Sequence, residues 1–423
     1  MAKTHLEIDA ENFRINGALS YTELPNCDPR HYGLLMNARF IQGVFDDRAN
    51  PDRFARFGFA EWDPEGNTDR LIAALRSWYA VGLRAITVGF QGGGPFYTIP
   101  NHSIDNNPFG SKGTRIDERY RNRMDRIVRA ADEIGMVVIV SFLYQGQVHR
   151  FESDEAIQNA VVTASRFLYE GGYRNVVIEV ANENDVGDFR SRPIVASESG
   201  MCGLMEIAKR ESGGMPVGCS GGGGSAYESI VRRSDVILVH GNGQSRQNLA
   251  GLAAKCRRWS PGVPIVCNED SQAIGQVAVA EESHFSWGYY NNMTKQEPPS
   301  DWGIRPGEDT FFASRLAEML GIDHTLPDDH DFYFAGFEPE MAYGGRRWLR
   351  IAVPRPEIVD RVEYLCDGDS IFTCWDEPFT LNWKSNFDQA GVADSSPERW
   401  SSRVFLCDGS DTVVHASSPE ETK

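Results

Sequence analysis

The feature that most narrows the possible folds is an alternation that starts near residue 33 and recurs eight times. Each unit is a short apolar run, a polar or glycine-rich loop and a helix-patterned segment. The runs fall at 34–45, 85–90, 136–142, 176–180, 215–219, 236–240, 264–269 and 284–289. The helical segments fall at 68–82, 117–134, 154–170, 200–211, 226–233, 247–259, 273–282 and 308–320. In the second of these, Tyr120, Met124, Ile127, Val128 and Ala131 recur at the spacing of one helix face. Runs that are apolar throughout are those of parallel strands covered by helices on the outside. Eight units in about 290 residues predict a closed (β/α)8 barrel rather than an open doubly wound sheet.

After residue 323 the helical period stops. Strand-like pieces appear at 362–366, 371–375, 379–383 and 403–407, with Asp367-Gly368 and Asp408-Gly409 as hairpin-turn signals. The expected organisation is a barrel over 1–322, including a short β lead-in at 5–30, and a small β-sandwich over 323–423 with a disordered tail from Ser417.

Composition removes several functions. The 60 acidic residues against 42 basic ones give a formal net charge of -18, the wrong sign for gripping phosphate backbones, so no nucleic-acid partner is expected. No apolar run approaches the ~18 residues of a membrane span. Met1-Ala-Lys-Thr-His-Leu-Glu has no apolar leader core, so the expected compartment is cytoplasmic, or secreted where a leader has been trimmed. The eight cysteines form no CxxC pair, and reduced thiols are expected. No motif calls for a cofactor or metal, and none sets an oligomeric state.

In a barrel the chemistry sits where strands end at the C-terminal face. Those ends carry Arg39 and Asp46 on the first unit, Gln91 on the second, and Tyr144 and Gln145 on the third. The later ends carry Asn182-Glu183, Ser220 with four glycines, His240-Gly241-Asn242, Asn268-Glu269, and Trp287 with Tyr289 and Tyr290. Asn-Glu occurs twice in the chain, and both copies end a strand, the fourth and the seventh. Opposed ends bring Glu183 and Glu269 across one mouth. Two carboxyl groups flanking a bond are what glycoside hydrolysis needs.

Val176-Val177-Ile178-Glu179-Val180-Ala181-Asn182-Glu183 resembles the strand-four motif of the clan A glycoside hydrolases, the cellulase and β-galactosidase superfamily. The resemblance implies Glu183 as acid/base, Asn182 as its partner and Glu269 as nucleophile. It also implies an aromatic floor from Trp287, and His240 resembles the strand-six histidine of the cellulase-like branch. The tyrosine that many members carry near the end of strand six is missing. The strand-two arginine is also replaced, by Gln91 and glycines, which leaves Arg39 to supply the positive charge. The segments Val362-Glu363-Tyr364 and Pro378 to Trp383 resemble the Ig-like modules appended to bacterial glycosidases.

The resulting expectation is a retaining hydrolase of a β-linked glycoside, with the two carboxyl groups at the short separation and Glu183 protonated near neutral pH. Arg39, Asp46, Gln145, Asn182, His240, Trp287 and Tyr289 would contact the sugar. Two other readings stay open. Gly218-Cys219-Ser220-Gly221-Gly222 fits the G-x-S-x-G elbow of serine hydrolases, and a silent sugar-binding barrel would keep the fold without turnover.

Overall fold

The structure is a computed structural model that describes residues 2–53, 62–95, 97–298, 300–338, 341–382 and 391–417. It opens with an antiparallel three-stranded sheet, β1 (Leu6–Asp9), β2 (Asn12–Ile15) and β3 (Ala18–Leu19). Strand and helix then alternate: β4 (Asn37–Arg39), α1 (Pro64–Ala80), β5 (Ala85–Gly89), α2 (Glu118–Asp132), β6 (Val137–Tyr144), α3 (Asp154–Glu170) and β7 (Val176–Asn182). The alternation continues with α4 (Pro193–Ala196), α5 (Glu198–Glu211), β8 (Val217–Gly218), α6 (Glu228–Arg233), β9 (Ile237–His240), α7 (Arg246–Trp259), β10 (Ile265–Glu269), α8 (Gln276–Glu282), β11 (Gly288–Tyr289) and α9 (Glu308–Met319).

Local chemistry explains these boundaries. Asp63, Ser153, Ser197 and Ser245 each accept a hydrogen bond from a first-turn N–H and so start α1, α3, α5 and α7. All eight residues of β6 are buried, because strands pair in parallel on both sides of it and helices cover it.

Six strands form one parallel sheet in the order β11-β4-β5-β6-β7-β8, and β9 and β10 form a parallel pair. Main-chain bonds reach from the pair to both edges of the sheet. Asp235 N donates to Val217 O at 2.9 Å, and Cys267 N donates to Ser286 O at 2.8 Å. Ala85, Val137, Ile139, Val177, Leu238 and Val266, from strands of both sheets, bury together with Phe13 of β2. The lead-in sheet therefore closes off the starting ends of the strands and leaves their other ends open.

The first apolar run is a strand only at Asn37–Arg39. Beyond it the chain turns, held by Asn67 Nδ2 on Gln42 O at 2.9 Å and Thr68 Oγ1 on Gly43 O at 2.7 Å. The fifth and eighth runs shrink to two paired residues each.

Beyond the helices come β12 (Tyr333–Ala335), β13 (Ala342–Tyr343), β14 (Arg346–Arg347), β15 (Arg350–Ala352), β16 (Val359–Cys366), β17 (Asp369–Cys374), β18 (Val392–Ala393), β19 (Trp400–Leu406) and β20 (Asp411–His415). The order β17-β16-β19-β20 makes a four-stranded antiparallel sheet. Asp367 and Gly368, with φ of 53° and 87°, turn its first hairpin. Phe334 and Ile351 of the β12–β15 pair bury against Val362, Tyr364 and Val404 of that sheet. Of the expected strand at 379–383, Thr380 makes one bridge to Arg350, and Trp383 lies outside the described residues, as does most of the expected tail.

Candidate active site

The open strand ends surround a cavity of about 420 Å³. Arg39, Tyr144, Gln145, Asn182, Glu183 and Glu269 line it, as their strand positions led one to expect. A carboxylate oxygen of Glu183, one of Glu269 and a ring nitrogen of His240 all lie within 4.8 Å of one another. Glu183 sits just past β7 with φ of 58°, a left-handed backbone rarely adopted by a residue with a side chain. Such strain, worth of order 1–3 kcal/mol, persists where the surrounding structure enforces it, and it clusters at functional sites.

Beneath the pair lies a charge network. Arg39 Nε is 2.7 Å from Glu269 Oε2, and its Nη2 donates to Asn182 Oδ1. Asn242 Nδ2 donates to the other Glu269 oxygen at 2.8 Å. His240 Nδ1 is 3.0 Å from Glu183 Oε1 and 3.5 Å from Glu269 Oε2. Deeper still is Glu179 of β7. Its Oε1 accepts from Ser220 Oγ at 2.8 Å and Asn268 Nδ2 at 2.9 Å, and lies 3.7 Å from His240 Nε2. Its Oε2 lies 3.8 Å from Arg39 Nη1.

The protonation states follow from this arrangement. Burial alone would depress the His240 imidazole, but the charges of Glu269, Glu179 and Glu183 outweigh it and push it up to about 10. Burial also opposes the charge on Glu179, and His240 and Arg39 overcome that, holding it down to about 2. At Glu269 burial wins: its pKa is raised, although Arg39 and His240 pull it back. Burial raises the phenols of Tyr144 and Tyr290, so both remain neutral O–H groups.

Four expected sugar contacts are not in the cavity wall, and the first is His240, which is fully buried beside the two carboxyl groups. Trp287 is fully buried, and its Nε1 donates to Asp270 Oδ2 at 2.8 Å. Tyr289 stacks on Phe312 of α9, with ring centroids 4.4 Å apart, and its hydroxyl donates to Asp309. Successive strand residues point to opposite faces, so Tyr290, one place on, is the aromatic that faces the cavity. Asp46 lies 3.8 Å from Arg123 of α2, turned toward the helix layer.

Ser220 does not have the setting of a nucleophile either. It is fully buried, donates to a carboxylate and accepts from Glu183 N at 3.1 Å, with no imidazole on its hydroxyl. Sequence reading passed over Glu179, Asn242 and Tyr290 as site residues. For Glu179 there was a signal: a carboxylate inside a wholly apolar strand must find buried partners.

No protein-family model and no curated protein matches the sequence. Solved structures do resemble the fold. One assigned as a glycoside hydrolase from Bacteroides vulgatus is 10% identical, with a TM-score of 0.51 over 98% of this chain and 81% of that one. A β-glucuronidase from Bacteroides uniformis is 11% identical, with a TM-score of 0.48 over 98% of this chain and 48% of that one. A β-glucosidase is 14% identical, with a TM-score of 0.46 over 69% of this chain and 99% of that one. The chain thus spans about half the length of the glucuronidase. At 10% identity the likeness to the first of these is one of fold alone.

Proposed function

We propose that the chain is a retaining β-glycosidase in which Glu269 is the nucleophile and Glu183 the acid/base. We read its strands as one (β/α)8 barrel over 1–322, with 323–423 as an appended β-sandwich. The observation that carries the mechanism is the presentation of both carboxyl groups in one cavity with oxygens within 4.8 Å. Oxygens that close support the short separation of a retaining enzyme over the ~6.5–9.5 Å between the carboxyl groups of an inverting one.

Glu269 attacks the anomeric carbon as the bond to the leaving oxygen breaks, and Glu183 gives that oxygen its proton. Glu183 then takes a proton from water, the water oxygen attacks the same carbon, and the Glu269 ester is released. Arg39 and Asn242 aim the two Glu269 oxygens. Asn182 spends its carbonyl on Arg39, which leaves its amide N–H₂ to donate to the sugar 2-hydroxyl.

Glu183→Gln and Glu269→Gln, assayed on a panel of aryl β-glycosides, should each lower kcat by about 10²–10⁴-fold. NMR of the first-formed product should show the β anomer. Unchanged turnover in both variants, or an α product, refutes the assignment. Binding without turnover in the parent protein would instead make the chain a sugar-binding barrel.

The same three side chains, Glu183, His240 and Glu269, also have the size of a metal triad. Two features disfavour that reading. An imidazolium has no lone pair to offer, and the Arg39 guanidinium already sits on Glu269. Activity unchanged by a chelator is the expected result.

A further inference from the structure

Among the described residues, one cation in the cavity wall has no acidic partner. Arg190 lines the cavity, and its Nε donates to the Asp185 carbonyl at 2.9 Å, but it forms no ion pair among the described residues. The other arginine in the cavity wall is committed, Arg39 to Glu269, as is Arg192 two positions on, to Asp154. Arg190 is exposed at the cavity, so its guanidinium is open to a ligand there. The nearby Asp185 carboxylate forms no ion pair with it among the described residues, and its two oxygens accept from Gly222 N and Tyr227 Oη, each at 2.7 Å.

Arg190 also has a definite side. It stands seven positions after Glu183, in the short turn Gly187–Ser191 that follows β7. Facing it is the glycine loop, where a Cβ on Gly223 would come 2.3 Å from Asn242 O and one on Gly222 would come 2.7 Å from Val186 Cγ1. The wall there is backbone, held open by close packing. Glu183 protonates the leaving oxygen, so the wall that continues from Glu183 flanks the leaving group, while Arg39 and Tyr290 flank Glu269 and the glycone.

Resting on the mechanism above, we propose that Arg190 binds an acidic substituent on the leaving group, so that the favoured aglycone is a uronic-acid or other carboxylated unit. A guanidinium presents paired N–H donors that match a carboxylate, and such charge-assisted bonds are about twice as strong as neutral ones.

The test uses two aryl β-glycosides that differ in the leaving group alone, 3-carboxyphenyl and 3-carbamoylphenyl, across a panel of glycones, with the released phenol quantified chromatographically. The parent enzyme should prefer the carboxylate. Arg190→Gln should lower kcat/KM for it about tenfold while the amide changes less than twofold, and Arg190→Lys should recover part of the preference. Raising the salt concentration should narrow the preference in the parent alone. An unchanged carboxylate-to-amide ratio in Arg190→Gln overturns the proposal while leaving the two-glutamate mechanism intact. Calorimetric binding of the same pair to Glu183→Gln reads the preference without turnover, and equal or absent binding of the two also overturns it.

Discussion

Glu179→Gln tests whether the buried charges below the cavity act as a unit. The substitution keeps shape and removes charge from a group that is fully buried and outside the cavity wall. A carboxylate and an imidazolium 3.7 Å apart attract by about 4 kcal/mol at an effective dielectric near 20. That corresponds to about a thousandfold in the proton affinity of the histidine, so His240 should fall from about 10 to roughly 7. Because His240 is raised above its unfolded value of about 6.5, its contribution to stability is complete below that pH and is lost as pH rises through about 10. Glu179 is depressed, so its contribution is complete above about 4.5 and is lost as pH falls through about 2. The pair is therefore strongest between those limits, at about pH 4.5 to 6.5. In that window the variant should be less stable by about 4 kcal/mol, within the 3–5 expected for breaking a buried pair, and the difference should shrink to about 1 kcal/mol by pH 9. Urea unfolding of both proteins from pH 3 to 9 measures this directly. A cost that stays constant across that range would mean the loss lies in the Ser220 and Asn268 hydrogen bonds, and the charge argument would be refuted.

Removing Asn242 leaves one Glu269 oxygen without its donor, so Asn242→Ala should raise the Glu269 pKa further and move the acid limb of the kcat/KM profile to higher pH. Ser220→Ala should keep turnover, since the hydroxyl orients Glu179 and attacks nothing, while costing about 1–3 kcal/mol from the unsatisfied carboxylate; loss of activity without loss of stability would revive the serine reading. Trp287→Phe breaks the bond to Asp270, whose buried carboxyl already stands at about 7, so stability should fall by about 1–3 kcal/mol with KM unchanged; a large rise in KM would place Trp287 in the sugar site after all.

Much of this molecule is legible in its sequence. The apolar runs and the helices between them fall close to where the pattern puts them, though the first, fifth and eighth runs pair over only two or three residues, because burial on both faces selects apolar side chains along most of each parallel strand. The two Asn-Glu dipeptides mark the two carboxyl groups, because a strand end fixes where a side chain can point. What the sequence did not contain is the choice made by one residue of register. Tyr289 and Tyr290 read alike as aromatics at a strand end, and only the pairing of Gly288 and Tyr289 with β4 decides that the first packs on Phe312 while the second faces the cavity. The C-terminal strands of two or three residues carry no period to read, and their pairing is set by Phe334 and Ile351 burying against the β16–β19 sheet.

The sequence by itself determined the alternation, the acidic balance and the two glutamates. The tertiary structure decided what surrounds those glutamates. Arg39, Glu179, His240 and Asn242 come from three separate strands or strand ends, and they interact only where the fold removes water from between them, so no local pattern announces them as one network.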